Sequence, residues 1–141
     1  KGSLDQTSPR RSIYLTVKRS NLIPLLQLFD APDSIQGIGD RDVTTVPPQA
    51  LAMMNSPVIR QLAEKFSKRL QAGPEITLEN QVGEAYQLAL SRQPTESEME
   101  QMVGFIKSQA SSYGATDAAM QRALADFCQL VLCLNEFMFV D

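Results

Sequence analysis

Thr116-Asp117-Ala118-Ala119-Met120-Gln121-Arg122-Ala123-Leu124-Ala125-Asp126-Phe127-Cys128-Gln129-Leu130-Val131-Leu132-Cys133-Leu134 is the stretch on which the fold turns. The threonine at its head can accept a hydrogen bond from a first-turn amide, and Asp117 suits the positive end of a helix. Arg122, Asp126 and Gln129 recur at i, i+4 and i+7 and form one narrow polar stripe. Leu, Phe, Cys, Val and Ala fill the rest of the circumference. A helix that is apolar nearly all round is a buried one. A membrane span is excluded, because no run of about 20 residues here lacks charged or strongly polar side chains. Leu130, Val131 and Leu134 are therefore expected core positions, and a short apolar tail, Phe137 to Val140, follows.

The two cysteines lie on this helix. Five residues apart, they sit about 140° apart around the axis and about 7.5 Å apart along it, too far to bridge. Without histidine nearby their spacing is no metal or haem motif. Buried, reduced thiols are expected.

The whole chain has 141 residues, 43% hydrophobic and 21% charged, with a net charge of -3. That length supports one domain with its own core. The charge is unevenly spread. Residues 1–29 carry five basic side chains against Asp5, whereas residues 71–141 carry three basic against ten acidic ones. Such halves can attract one another or a larger neighbour. Residues 1–9 are expected to be a frayed or tag-derived N-terminus, with residues 10–141 the domain itself.

Working outward from the core helix, Ser12 to Lys18 alternates, with Ile13, Leu15 and Val17 opposite Tyr14, Thr16 and Lys18, which predicts a strand. Its partner is either residues 136–140 or a segment upstream. Asn21 to Phe29 reads as a short helix with Pro24 in its first turn, stopped by Asp30-Ala31-Pro32-Asp33. A glycine-bearing loop follows. Pro47 to Met54 predicts a helix ending at Asn55, and Ser56-Pro57 opens another, with Val58, Ile59, Leu62, Ala63, Phe66 and Leu70 on one face. Thr77 opens a third, and Thr95-Glu96-Ser97-Glu98 is a capping box at the head of a fourth, whose stripe is Met99, Met102, Val103 and Ile106. The expected fold is mostly α: a bundle-like single domain around the buried C-terminal helix, with at most one short two-stranded β pairing.

Catalytic signals are sparse. There is no histidine, the commonest general base and metal ligand. Gly37-Ile38-Gly39 lacks the third glycine and the lysine of a phosphate loop. Glu96, Glu98 and Glu100 occupy a helix first turn, where carboxylates are favoured without any metal. Arg10, Arg11, Lys18 and Arg19 around Tyr14 form a basic cluster, but in a chain of pI ≈ 5.0 it is a weak nucleic-acid footprint. No nucleic acid, cofactor or metal is expected.

Several motifs together resemble one family. They are Arg10-Arg11-Ser12-Ile13-Tyr14 with Lys18-Arg19, Phe29-Asp30-Ala31-Pro32-Asp33, Thr44-Thr45-Val46-Pro47-Pro48-Gln49-Ala50-Leu51 and Asn55-Ser56-Pro57. Leu90-Ser91-Arg92-Gln93-Pro94-Thr95 and the closing Leu134-Asn135-Glu136-Phe137-Met138-Phe139-Val140-Asp141 belong to the same set. The pattern, over about residues 10–141, is similar to the C-terminal domain of unknown function in large planctomycete-type bacterial proteins. The resemblance implies an exported parent in the periplasm or cell envelope, often with cytochrome c-like domains upstream, of which this chain is the C-terminal piece. It supplies no catalytic residues. The expected role is a non-catalytic interaction domain whose partners are upstream domains of the same parent. Its candidate surface is Arg10, Arg11, Tyr14, Lys18, Arg19, Asp30, Asp33, Arg41 and Gln49. A polysaccharide-binding module, or part of an active site completed by upstream domains, is the alternative. The sequence leaves the oligomeric state open.

Overall fold

A computed structural model describes residues 47–72 and 77–138. The chain separates into two units, Lys1–Ala52 and Met53–Asp141. Six helices make up the described residues: α1 Pro47–Asn55, α2 Pro57–Leu70, α3 Leu78–Leu90, α4 Glu96–Ser112, α5 Asp117–Leu132 and α6 Asn135–Met138.

Their boundaries follow from local chemistry. Ser56 takes an extended backbone and Pro57 starts α2, although the serine side chain makes no capping bond. Pro57 has no N–H to satisfy, so the first turn needs less of a cap. Thr77, Thr95 and Thr116 each accept a hydrogen bond from the amide three residues on, opening α3, α4 and α5. At α4 the cap is reciprocal, because Glu98 also accepts from the Thr95 N–H at 2.7 Å. Ser91, with φ 58°, ends α3 in the left-handed region. The end of α4 is a Schellman turn: Ala115 N–H donates to Ala110 O at 2.9 Å and Gly114 N–H to Ser111 O at 3.2 Å. Gly114 has φ 102° there, a value that side-chain-bearing residues rarely adopt.

Within the second unit α5 is the centre. It packs chiefly on α2 and α4, and more lightly on α3 and α6. Ala123, Leu124, Phe127, Cys128 and Val131 join Ala63 and Leu70 of α2, Val82, Ala85 and Tyr86 of α3, and Val103, Ile106 and Ala110 of α4 in one core cluster. Full burial of a residue such as Phe127 is worth about 1.5–3 kcal/mol relative to exposure. Alanines at the contacts let helix axes approach closely, since interaxial distance follows side-chain size.

The buried core helix is thus an observed feature, with three differences. Val131 is fully buried, but Leu130 and Leu134 are only half-buried: Leu130 sits about 100° around α5 from Val131, and Leu134 lies beyond Leu132, the last residue of the helix. The expected β pairing of the tail is corrected: Glu136 to Met138 lie in α6, and Leu134 O accepts from the N–H groups of Phe137 and Met138 at 3.0 and 3.1 Å. These local bonds satisfy the backbone without a second strand. No strand occurs among the described residues; the 12–18 stretch and residues 139–140 lie outside them. Lastly, the polar stripe of α5, to which its spacing assigned no partner, is bonded to residues outside the helix.

Candidate functional site

Of the nine residues expected to form an interaction surface, Arg10, Arg11, Tyr14, Lys18, Arg19, Asp30, Asp33 and Arg41 lie outside the described residues. Gln49, on α1, is 2% exposed. Among the described residues, polar chemistry gathers at two arginines.

The first is Arg60, in the first turns of α2. Its guanidinium pairs with Asp126 of α5, donates to Gln129 Oε1 at 3.3 Å and reaches Glu64 at 3.3 Å. Tyr113, just after α4, donates its hydroxyl to the other Asp126 oxygen at 2.8 Å. Gln129 Nε2 donates to the carbonyl of Met54 at 2.7 Å, tying the end of α1 to α5. Arg122 lies over the Tyr113 ring, 4.4 Å from its centroid. The Asp126 hydrogen bond raises the Arg60 pKa against the opposing effect of burial. It likewise raises that of Tyr113, whose O–H form donates to the carboxylate. Beside this network, a cleft of about 460 Å³ opens between α2 and α5, lined by Lys68, Gln71, Gln121 and Arg122 among others.

The second is Arg92, in the α3–α4 connection. It makes two-pronged bonds to both of its carboxylates: Nη1 and Nη2 to Glu98 at 2.9 and 2.7 Å, and Nε and Nη2 to Glu136 at 2.7 and 2.8 Å. The planar guanidinium fork matches a carboxylate edge, which makes such pairs strong and directional. The same group stands 5.3 Å from the centroid of the Tyr86 ring. Glu98 is pulled down to about 2, first by Arg92 and then by the Thr95 amide. Glu136 is lowered by the same arginine. One side chain therefore joins the head of α4 to α6.

Neither network was legible as such. Arg60 and Asp126 are separated by 66 positions and Arg92 and Glu136 by 44. The usable signals were the polar stripe on α5, facing a polar edge of α2, and the presence of Arg92 and Glu136 in two of the motifs quoted above. Glu98 serves as a cap and an ion-pair partner. Among the described residues no group of three His, Cys, Asp or Glu side chains is placed to hold a metal. Both cysteines are free; Cys128 is buried, which pushes its thiol up to about 12, and Cys133 is half-buried and shifted the same way.

A second surface feature is a groove of about 600 Å³ between the start of α3 and α4. Pro94, Met99, Val103 and Gly104 line it, with Glu79, Glu96, Glu100 and Lys107 around them. Among the described residues no helix is long and apolar enough to cross a membrane.

Comparison with curated proteins and with solved structures finds no match. Comparison with protein families does: the model of PSD1, described as a protein of unknown function (DUF1553), matches residues 2–106. The matched stretch runs through α1, α2 and α3 and into α4, ending before α5 begins. With well over half of its length matched, the chain belongs to the PSD1 family of proteins of unknown function (DUF1553).

Proposed function

We propose that the chain is a non-catalytic interaction module that docks, through the stretch Arg10 to Val46, against other domains of its parent protein. The parent, on this reading, is a planctomycete-type protein exported to the periplasm or cell envelope. The observation that carries the proposal is how the charges of the two arginine networks are spent. Arg60, Asp126, Arg92, Glu98 and Glu136 are engaged with one another, and Tyr113 with Asp126, in fixed pairs that join helices. Acid–base chemistry instead needs titratable groups free to meet a substrate at a cleft, which the members of these two networks are not. The two described tyrosines are also occupied, Tyr86 in the core and Tyr113 between Asp126 and Arg122, which disfavours an aromatic sugar-binding platform. The family resemblance supplies the expectation of upstream domains, and the basic Arg10–Arg19 stretch supplies the polar character typical of an intramolecular domain interface.

Calorimetric titration of the chain with the separately expressed upstream domains tests this. Binding is expected, with Arg11→Ala and Arg19→Ala changing affinity modestly if they lie at the rim and by about 2–5 kcal/mol if buried in a charge pair. No binding at concentrations on the order of mM, comparable to those of a tethered domain, contradicts docking. Substrate turnover by the chain that the same substitutions abolish would assign the stretch to an active site.

A further inference from the structure

We propose that the groove between the start of α3 and α4 is a docking site for a cationic amphipathic helix of a partner protein. The site shares no residue with the Arg10 to Val46 stretch and does not depend on the reading given to that stretch.

Four observations converge on it. Its α4 side is a single helical stripe. Glu96, Met99, Glu100, Val103, Gly104 and Lys107 fall at i, i+3, i+4, i+7, i+8 and i+11 and all line the groove. At 1.5 Å per residue that stripe is about 16 Å long, three turns of a partner helix. The centre of the stripe is apolar, with Met99 half-exposed and Val103 at the floor. A flexible thioether suits a surface that must adapt to a partner.

The charges around it are unspent. Glu79, Glu96 and Glu100 face one lysine, Lys107, and none of these four side chains makes an ion pair or hydrogen bond among the described residues. Glu98, one position from the stripe, is fully engaged by Arg92 and Thr95, so the contrast lies within a single helix turn. The excess of carboxylates selects a partner carrying Lys or Arg. Lys107 at the far end of the stripe makes the charge pattern directional, favouring one orientation of that partner.

Gly104 completes the case. It lies in the interior of α4, where glycine loosens a helix relative to alanine. A Cβ at Gly83 would come within 3.3 Å of Gln93 Oε1, so that glycine answers to a neighbour in its own chain. A Cβ at Gly104 would meet nothing within 4 Å. Its missing side chain serves no contact among the described residues, but it lets a second backbone approach the groove closely, which a helix laid along the stripe requires.

The test uses the full chain and a synthetic helical peptide of about 18 residues with Leu on one face and Lys on the other, longer than the three-turn stripe. Two controls are a Leu/Glu peptide of the same pattern and a Lys/Ser peptide of the same charge. Fluorescence anisotropy and amide chemical shifts are expected to give saturable one-to-one binding of the Leu/Lys peptide, with shifts centred on residues 96–107 and weaker binding of both controls. Gly104→Leu is expected to weaken binding on the order of tenfold, a change equivalent to about 1.4 kcal/mol, with Tm unchanged or raised. Glu100→Lys, which leaves the groove's shape alone, is expected to weaken it similarly and decides the matter if Gly104→Leu fails to fold. Absence of binding, equal binding by either control peptide, shifts centred elsewhere, or affinity unchanged in the folded variants overturns the proposal.

Discussion

Arg60 and Arg92 each tie together helices that are distant in sequence, yet they do so in different surroundings. Arg92 makes four bonds to two carboxylates, but its side chain is 37% exposed and that of Glu136 is 45% exposed. Arg60 makes fewer bonds to carboxylates, but its partner Asp126 is only 19% exposed and also holds Tyr113. Water competes for the first network and is partly shut out of the second. Exposed ion pairs contribute little even with good geometry, whereas a charge left without its partner in a desolvated site is costly. The bond count ranks Arg92 first; burial ranks Arg60 first, and burial is the better guide.

The apolar core sets the scale for both. Phe127→Ala, at the centre of the cluster, is expected to cost about 3–5 kcal/mol in urea denaturation, the largest loss of any change considered. A loss below about 1 kcal/mol would mean that α5 does not organise the core, and both networks would need reinterpretation. Next comes Asp126→Ala, which leaves Arg60 only its 3.3 Å bonds to Glu64 and Gln129 and removes the acceptor of Tyr113; about 1.5–3 kcal/mol is expected. Arg92→Met should cost less than Asp126→Ala. The reverse order would show that the two-pronged geometry outweighs solvent screening.

The smallest effect is a pH dependence confined to the Arg92 network. Both Glu98 and Glu136 have folded-state values below the ordinary 4.5, Glu98 at about 2. Their contribution is therefore fully present above about 4.5 and is lost as pH falls toward 2, because the unfolded chain takes up protons first. Arg92→Met should flatten the acid limb of the stability profile over this window. An unchanged acid limb would mean that these pairs add nothing in solution.

Local signals were the ones legible in advance. Thr77, Thr95 and Thr116 open their helices as their spacing predicts, and the capping box at Thr95 and Glu98 forms in full. Each of these depends on residues three or four apart. The misread tail shows the converse. Phe137 and Val140 suggested a strand by residue type, but a strand needs a distant partner, whereas the α6 turn needs only Leu134. Leu130 and Leu134 are half-buried for a different reason: a helix apolar nearly all round does not reveal in its sequence which face turns away from the core, nor that Leu134 falls beyond the last turn. The long-range arginine pairs were illegible because each side chain also makes sense as a solvated charge. The groove on α4 escaped notice because Gly104 and the two glutamates look like ordinary helix residues until the space beside them is known.

The central claim, that α5 is the helix around which the second unit is built, is tested most directly by native-state hydrogen exchange resolved by residue. The amides of Ala123 to Val131 are expected to exchange only through global unfolding, with opening free energies equal to the denaturant-derived stability, while those of the short α6 exchange through smaller openings. Exchange of Ala123 to Val131 at the rate of α6, well below the global stability, would contradict it.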